Sequence, residues 1–364
     1  MRPTTSTVPV GTGVEPAVTS GGADHHTVAA VVWVAFSGRV DRLVSFVLDD
    51  VWGTALTAVA EATGVGVLGS PFMQRAYLAA VCIALIGPLV GTFLVHREMA
   101  MIGDTLAHSA FAGVAAGLFV NAVFSTSVPP LLTALLVAAV AAVLVQTLVD
   151  YAGAYRDTSL AIVLTGSFAV GSVLVTASGG GIAVGINAYL FGSLATVSRA
   201  NTAVLLAMCV VVVAVVAVAY RPLLYVTFDA VGARAAGLDV AHYNRLLAVL
   251  TAVVVVGAMQ IMGVILVAAM LVVPVAAASV VDGFKRSVAA AVVAGQVATV
   301  TGVTFSYLYD VAAGGAIVLV AIAVYAVVRA ADRASRRHAA RRAAPGSPTG
   351  DTSTAAGSGD DENR

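Results

Sequence analysis

The chain has 364 residues, of which 60% are hydrophobic and 10% are charged, and its mean hydropathy is +0.98. A soluble domain carries about 25% charged residues, so this composition excludes a water-soluble enzyme and predicts an integral membrane protein. The 19 basic and 19 acidic residues balance, which argues against a general nucleic-acid surface.

The first 70 residues form an extension ahead of the hydrophobic part of the chain. Residues 1–26 are rich in Thr, Gly and Pro, a composition that predicts disorder. The apolar run at 27–37 is too short to span a bilayer, and acidic residues interrupt the next run. Residues 27–70 are therefore predicted to include a surface-lying amphipathic helix, and an additional span is the alternative.

Residues 75–330 are a succession of apolar runs that short charged segments separate. A spanning helix needs about 20 mostly apolar residues, so these runs predict an all-α polytopic bundle of about eight to nine transmembrane helices. Gly, Ala or Ser recurs in nearly every run, which allows helices to approach closely. The predicted spans are 76–95, 100–121, 129–149, 158–177, 201–220, 245–261, 263–281, 287–308 and 314–330.

Basic residues fall almost entirely on one side of the predicted bundle. Arg199 is the main exception, and the positive-inside rule then places the basic loops and the C-terminus in the cytoplasm of a multi-pass plasma-membrane protein. Residues 331–364 are predicted to be a basic and then acidic low-complexity tail, disordered over 343–364. The basic residues on the cytoplasmic side are Arg97, Arg156, Arg221, Arg234, Arg245, Lys285, Arg286 and the arginines from Arg329 to Arg342.

Two ionisable side chains interrupt the second predicted span, which reads MAMIGDTLAHSAFAGVAAGLFVN over 99–121. Asp104 and His108 are four residues apart and so lie on one face of a helix. An ionisable group inside a bilayer costs roughly 2.5–3.5 kcal/mol and usually faces the bundle interior or a wet pathway. Carboxylate and imidazole suit Zn²⁺, Mn²⁺ or Fe²⁺, which predicts a metal pathway. The alternative is that Asp104 caps or pairs locally near the cytoplasmic interface and only orients His108.

The segment 182–199, IAVGINAYLFGSLATVSR, is too broken to span the bilayer and too apolar for a solvated loop. This combination is typical of a short re-entrant or interfacial segment. An ordinary extracellular hairpin is the alternative, and periodicity does not separate the two.

The longest charged segment between spans is 221–245, RPLLYVTFDAVGARAAGLDVAHYNR, on the cytoplasmic side. Its pattern predicts one short helix that begins around Phe228 and Asp229, includes Arg234 and ends at Gly237. A short helix between spans suits a docking surface for a soluble partner, and an inert surface loop is the alternative.

Four segments occur together in an order that resembles the permease subunits of zinc/manganese/iron ABC importers, the ABC-3 family. The segment with G-D-x-L-x-H is the most diagnostic, and the other three are weak singly and informative as a series. Together they extend over the hydrophobic part of the chain. The segments are REMAMIGDTLAHS at 97–109, AYLFGSL at 188–194, GVILVAAMLVVP at 263–274 and GVTFSYLYD at 302–310.

The resemblance implies a homodimeric, occasionally heterodimeric, permease that works with a separate cytoplasmic ATPase and a separate extracellular metal-binding protein. It implies that Asp104 and His108 belong to the metal pathway, and that the divalent ion is cargo and not a permanent cofactor. The family often has an acidic residue where Ser193 stands, so no metal contact is assigned there. The ATPase is expected to dock on 228–240, and Gly263 to Pro274 to form a close-packed, kinked helix near the translocation path.

No G-x-x-x-x-G-K-[ST] motif surrounds Lys285, the sole lysine, so the chain is predicted to be a transport subunit without a P-loop and not an enzyme. Cys82 and Cys209 lie in apolar runs, where small hydrophobic roles are expected. The alternatives are a permease for iron–siderophore, haem or cobalamin complexes, and a gradient-driven secondary transporter, which more often shows inverted repeats and several intramembrane ionisable groups.

Overall fold

The computed structural model describes residues 52–63, 66–152, 156–178, 183–192 and 198–343. Two compact units divide the chain, residues 1–55 and residues 56–364. The predictions for residues 1–51 and for the acidic tail from 344 onward lie outside the described residues.

Within the described residues, all regular structure is helical. Besides a 3₁₀ turn at Gly66–Gly69, the helices are α1 (Thr54–Thr63), α2 (Pro71–His96), α3 (Met101–Phe124), α4 (Pro130–Ala152), α5 (Arg156–Ala177), α6 (Ala183–Phe191), α7 (Arg199–Val218), α8 (Tyr220–Phe228), α9 (Ala230–Ala235), α10 (Val240–Met262), α11 (Val264–Ala278), α12 (Phe284–Tyr309) and α13 (Ala313–Ala343).

Eight of these described helices are long and apolar enough to cross a membrane: α2, α3, α4, α5, α7, α10, α12 and α13. This confirms the predicted all-α polytopic bundle. The short α6 has nine residues, about 13 Å at 1.5 Å per residue, and does not span, as its broken sequence predicted.

The helices α2 and α10 begin at Pro71 and Val240, ahead of the predicted starts at 76 and 245, and two other helices differ at their C-terminal ends. The span expected at 263–281 is the 15-residue α11, about 22 Å long, because the chain turns at Gly263 before it and at Ser279 after it. The last helix continues from the predicted end at 330 to Ala343, since Ala and Arg favour helix whether or not the surroundings are apolar.

The helix α2 lies at the centre of the bundle, where it packs against α7, α10, α11 and α12. Small residues permit the closest contacts. A Cβ atom added at Gly91 would lie 2.0 Å from the Leu271 carbonyl oxygen of α11, so the two backbones are in direct contact. Other extensive contacts are those of α3 with α4 and α5, of α4 with α10, and of α12 with α13.

Side-chain contacts define two ends of the bundle. At the first, which we call the basic end, the Phe93 and Phe284 rings lie 5.2 Å apart, so α2 ends where α12 begins. The Arg97 guanidinium there donates to the Asn244 side-chain carbonyl in the first turn of α10. At the opposite end, the hydroxyl oxygens of Tyr77 and Thr304 lie 2.7 Å apart. The helices α2 and α12 therefore run antiparallel.

Candidate functional site

Asp104 and His108 lie in the first half of α3, on one face of the helix. The His108 Nδ1 atom lies 3.0 Å from the Asp104 main-chain carbonyl oxygen and 3.5 Å from the carboxylate Oδ1. A carbonyl oxygen only accepts hydrogen bonds, so Nδ1 carries the proton and Nε2 holds the free lone pair. This tautomer is the one that metal-binding histidines adopt when a carbonyl orients the ring.

The surroundings of the pair are apolar and partly open. The side chains of His108 and Asp104 are 19% and 36% exposed, respectively, while the neighbours Leu106 and Ala107 are fully buried. The Phe168 ring of α5 contacts the imidazole edge to face, with centroids 5.5 Å apart. An incoming ion would therefore meet a carboxylate and an imidazole against an apolar wall.

The helix α5 fixes the orientation of α3 around this pair. The Thr105 hydroxyl donates to the Met101 carbonyl and lies 3.4 Å from the Leu160 carbonyl oxygen. One turn further, the Ser109 and Ser167 hydroxyl oxygens lie 2.9 Å apart. The hydroxyls of Thr105 and Ser109 thus find partners where the parallel helices α3 and α5 meet. Asp104 and His108 lie next to this contact on α3.

Within the described residues, no group of three or more His, Cys, Asp or Glu side chains could hold a metal ion. The pair alone thus supplies two ligands, half of a tetrahedral set. Asp104 also lies in the first turn of α3, where a carboxylate stabilises the helix N-terminus. Two ligands suit passage of an ion better than tight storage.

The predicted docking residues lie at the basic end, in a compact turn between α8 and α10. The Asp229 carboxylate accepts a hydrogen bond from the Gly232 main-chain N–H, 2.7 Å away, and so caps the N-terminus of α9. Arg234 is exposed in the last turn of α9. The helix begins at Ala230, one residue after Asp229, because the aspartate is the cap and not part of the helix.

Gly237 ends α9 as the sequence predicted. Its φ angle is +84°, and its N–H donates to the Arg234 carbonyl while the Leu238 N–H donates to the Ala233 carbonyl. This pair of hydrogen bonds is a Schellman motif. Leu238 packs on a small cluster of Val226, Ala233 and Val240, which holds α8 and α9 together outside the bundle.

The docking segment, which we define as residues 220–240, exposes apolar side chains. Tyr225, Phe228 and Val231 are 42%, 61% and 77% exposed. Outside the apolar part of a membrane protein, contiguous exposed apolar groups mark an interaction site. The sequence prediction assigned docking to Asp229, Arg234 and Gly237, used Phe228 only to mark the start of the helix, and missed Tyr225 and Val231.

Gly263 joins α10 to α11 with a φ of +79° and a ψ of 154°. A Cβ atom there would lie 2.3 Å from the Leu190 carbonyl oxygen and 2.5 Å from the Gly192 nitrogen. The end of α6 thus packs backbone to backbone on the joint. Pro274 is buried inside α11. A role of either residue in gating stays a prediction.

Sequence reasoning missed two neighbours of these sites. Phe168 lies 60 positions from His108, and no spacing rule connects them. Gly192, with a φ of +75°, approaches the Ile261 carbonyl oxygen as closely as Gly263 approaches α6. Its position at the end of a short apolar segment was the available signal.

The ABC 3 transport family matches residues 69–331. The chain is 32% identical over 263 residues to the "Manganese transport system membrane protein MntC" of Halalkalibacterium halodurans, which covers 71% of this chain and 87% of that protein. It is 34% identical over 266 residues to a "Probable metal transport system membrane protein" of Treponema pallidum, which covers 73% of this chain and 97% of that protein.

A solved structure, "PsaBC from Streptococcus pneumoniae in complex with Fab", is similar to this chain with a TM-score of 0.65 and 26% sequence identity. The likeness covers 74% of this chain and 95% of the other. The family match, residues 69–331, extends over the helical bundle.

Proposed function

Since the chain belongs to the ABC 3 transport family, we propose that it is the membrane permease subunit of an importer for divalent metal ions, foremost manganese. ATP hydrolysis by a separate cytoplasmic subunit drives the transport. The chain itself is a conduit and not an enzyme. The observation that carries the proposal is the Asp104–His108 pair, which places ion-binding groups inside a buried spanning helix.

The carboxylate has a physical role in such a conduit. A divalent cation loses its hydration on entering a low-dielectric region, and a fixed negative charge offsets part of that cost. The imidazole Nε2 adds a neutral donor that Mn²⁺, Fe²⁺ and Zn²⁺ all accept. Manganese is the first choice because the relative from Halalkalibacterium halodurans is named as a manganese transport protein.

The permease works as a two-fold dimer in this proposal. Each chain supplies two ligands, and two copies related by symmetry bring two carboxylates and two imidazoles to one ion. The open geometry of the pair keeps binding transient, since a closed four-ligand cage would trap the ion. The measurable consequence is one bound Mn²⁺ per two chains.

The ATPase docks at the basic end, on the docking segment. The apolar contact area comes from the exposed side chains of Tyr225, Phe228 and Val231. Asp229 and Gly237 set the two ends of α9, and Arg234 adds a positive charge. A cytoplasmic location of this surface and of the C-terminus is part of the proposal, and the arginines of the basic end support it through the positive-inside rule. A separate metal-binding protein delivers the ion at the opposite end.

Reconstituted vesicles test the proposal. The complex of this chain with its ATPase and binding protein is expected to take up ⁵⁴Mn²⁺ only when ATP is supplied. Asp104→Asn and His108→Ala are each expected to lower uptake by at least about ten-fold, the smallest loss typical even of outer-shell partners, while dimer formation and ATPase binding persist. Zn²⁺ and Fe²⁺ are added to the assay as competitors of ⁵⁴Mn²⁺ uptake.

Matched controls separate the site from general effects of charge. Asp282 is an exposed residue between α11 and α12, and His242 is an exposed residue in the first turn of α10, so His242→Ala and Asp282→Asn are expected to transport like the wild type. A His108→Ala complex that accumulates manganese at the wild-type rate would leave Asp104 with a local structural role. ATP-independent uptake that follows an ion gradient would instead indicate a secondary transporter.

A further inference from the structure

Five aromatic rings meet at the basic end of the bundle, and we call them the aromatic cluster. Phe284 is its hub, with ring centroids 5.2 Å from Phe93, 5.4 Å from His96, 5.6 Å from Phe228 and 6.4 Å from Tyr220. His96 and Phe228 also contact each other, 5.7 Å apart and edge to face. All these separations lie in the range of roughly 4.5–7 Å in which aromatic pairs attract.

The cluster connects elements that are distant in the chain. Phe93 and His96 end the central helix α2, and Phe284 begins α12. Tyr220 and Phe228 are the first and last residues of α8, the first helix of the docking segment. A displacement of α8 therefore meets the ends of two spanning helices directly, without passing through α9 or α10.

The ring of His96 is held in a defined orientation. Its Nδ1 lies 2.7 Å from the Thr92 carbonyl oxygen, so Nδ1 donates and the ring plane is fixed against its own helix. The Thr92 hydroxyl donates in turn to the carbonyl of Pro88, one turn earlier in α2 and 2.7 Å away. A displacement of the His96 ring is therefore transmitted through these two hydrogen bonds toward the middle of α2.

Burial differs across the cluster in a way that simple core packing does not explain. Phe93 is fully buried, whereas Phe228 is 61% exposed. Phe228 immediately precedes Asp229, the cap of α9. One end of the cluster therefore lies in the bundle core and the other lies on the docking surface, which is the arrangement required of a mechanical connection.

We propose that the aromatic cluster transmits the motion of the docked ATPase from α8 to α2 and α12. The inference rests on the proposed function and deepens it, because it assigns the coupling to named positioning residues. Packed rings shift between discrete arrangements and do not deform continuously, so the cluster moves α2 and α12 with α8. Loss of the hub ring leaves the ATPase docked but uncoupled from the metal path.

The test measures manganese transported per ATP hydrolysed in vesicles that contain the complete complex. Phe284→Ala is expected to lower this ratio about two- to ten-fold, the fold-change that corresponds to one or more lost aromatic contacts. Co-purification of the ATPase is expected to stay unchanged, since Phe284 lies outside the docking segment. Phe284→Tyr keeps the ring and is expected to restore the ratio, and Phe284→Leu keeps only the apolar volume.

The opposite end of the bundle provides the matched control. The tilted rings of Phe305 and Tyr309 of α12 lie with centroids 4.4 Å apart, so Phe305→Ala removes an aromatic pair from the same helix and leaves the aromatic cluster unchanged. Its ratio is expected to equal that of the wild type. Combining His96→Ala with Phe284→Ala is expected to add little to the single Phe284→Ala variant, because His96 lies outside the docking segment and two members of one connection are not independent.

The outcomes separate the inference from the proposed function. If the wild-type complex neither binds the ATPase nor transports manganese with ATP, the proposed function is wrong. If it does both and Phe284→Ala and Phe284→Leu keep the wild-type ratio, the cluster is an interfacial anchor of the kind that aromatic residues form at membrane surfaces, and the coupling inference is overturned. Equal losses in Phe284→Ala and Phe305→Ala would overturn it as well.

Discussion

The helices α2 and α7 are packed against each other, are both strongly apolar, and yet occupy opposite environments. In the apolar window of α2, 78% of the residues are buried inside the protein, against 28% in α7, although α7 is slightly the more apolar. Lipid tails are as apolar as a protein interior, so hydropathy places a helix in the membrane without saying which side faces protein.

Small residues account for the difference. The helix α2 carries Gly87 and Gly91 on the face that meets α11, whereas α7 contains no glycine and consists largely of valine in its second half. Backbones that touch at a glycine exclude lipid from both helices. In this pair, the glycines and not the apolarity distinguish the inner helix from the outer one.

The largest loss of stability is expected when a large side chain replaces a glycine at the contact between α2 and α11. Gly91→Leu places a side chain where even a Cβ atom lies 2.0 Å from the Leu271 carbonyl oxygen, and the helices must separate. We expect a loss of about 3 kcal/mol or more, seen as a lower thermal unfolding midpoint in detergent. Val210→Leu in α7, where Val210 is 62% exposed, is the control and is expected to change stability by less than about 0.5 kcal/mol.

A second pair of glycines separates steric overlap from backbone strain. Gly263 and Gly283 have φ angles of +79° and +89°, which favour glycine, but a Cβ atom at Gly283 meets nothing within 4 Å. Gly283→Ala is expected to cost about 1–3 kcal/mol from strain alone. Gly263→Ala adds the overlap with α6 and is expected to unfold at clearly lower temperature. Equal unfolding midpoints for Gly263→Ala and Gly283→Ala would show that α6 shifts to relieve the overlap at no cost in stability.

A smaller loss of stability is expected in the docking segment, where the Asp229 side chain caps the helix α9. Asp229→Ala removes the cap of α9 and is expected to cost about 1 kcal/mol, while Asp229→Asn keeps a capping oxygen. If docking depends on the shape of the turn, only the alanine variant reduces co-purification of the ATPase. If it depends on charge, Asp229→Asn and Arg234→Glu reduce it too.

The smallest effect on transport is expected at the contact between α2 and α7 themselves. The Cys209 Sγ atom lies 4.0 Å from the Cys82 carbonyl oxygen, and both side chains are buried. As small hydrophobic residues, they can be replaced together by alanine at a cost of about 1 kcal/mol each, with manganese uptake unchanged. A loss of uptake in Cys82→Ala/Cys209→Ala vesicles would reveal a thiolate role.

Much of the fold was predictable because hydropathy locates spans and glycine marks helix ends. Gly237 was predicted as the end of a helix, whereas Gly263 was predicted as part of a helix and instead joins two helices with a φ of +79°. The early end of α11 was not predictable, since Val280 and Val281 continue the apolar run beyond the last helical residue. The extension of α13 was missed for the opposite reason, because apolarity bounds the membrane and not the helix.

The candidate site likewise has a part that was predictable from the sequence and a part that was not. The spacing of Asp104 and His108 predicted a shared helix face, since both residues belong to one helix. The contact of His108 with Phe168, and the meeting of five aromatic rings around Phe284, bring together residues far apart in sequence. Such contacts depend on how the helices pack, and one chain read alone carries no record of them.

The contact between Gly192 and Gly263 has a consequence for how this protein can evolve. Each glycine touches main-chain atoms across the contact, and the main chain cannot be made smaller to accommodate a bulkier partner. A substitution on one side therefore has no compensating substitution on the other. Related sequences should show both positions held as glycine independently, without the paired exchanges that ordinary side-chain contacts leave behind.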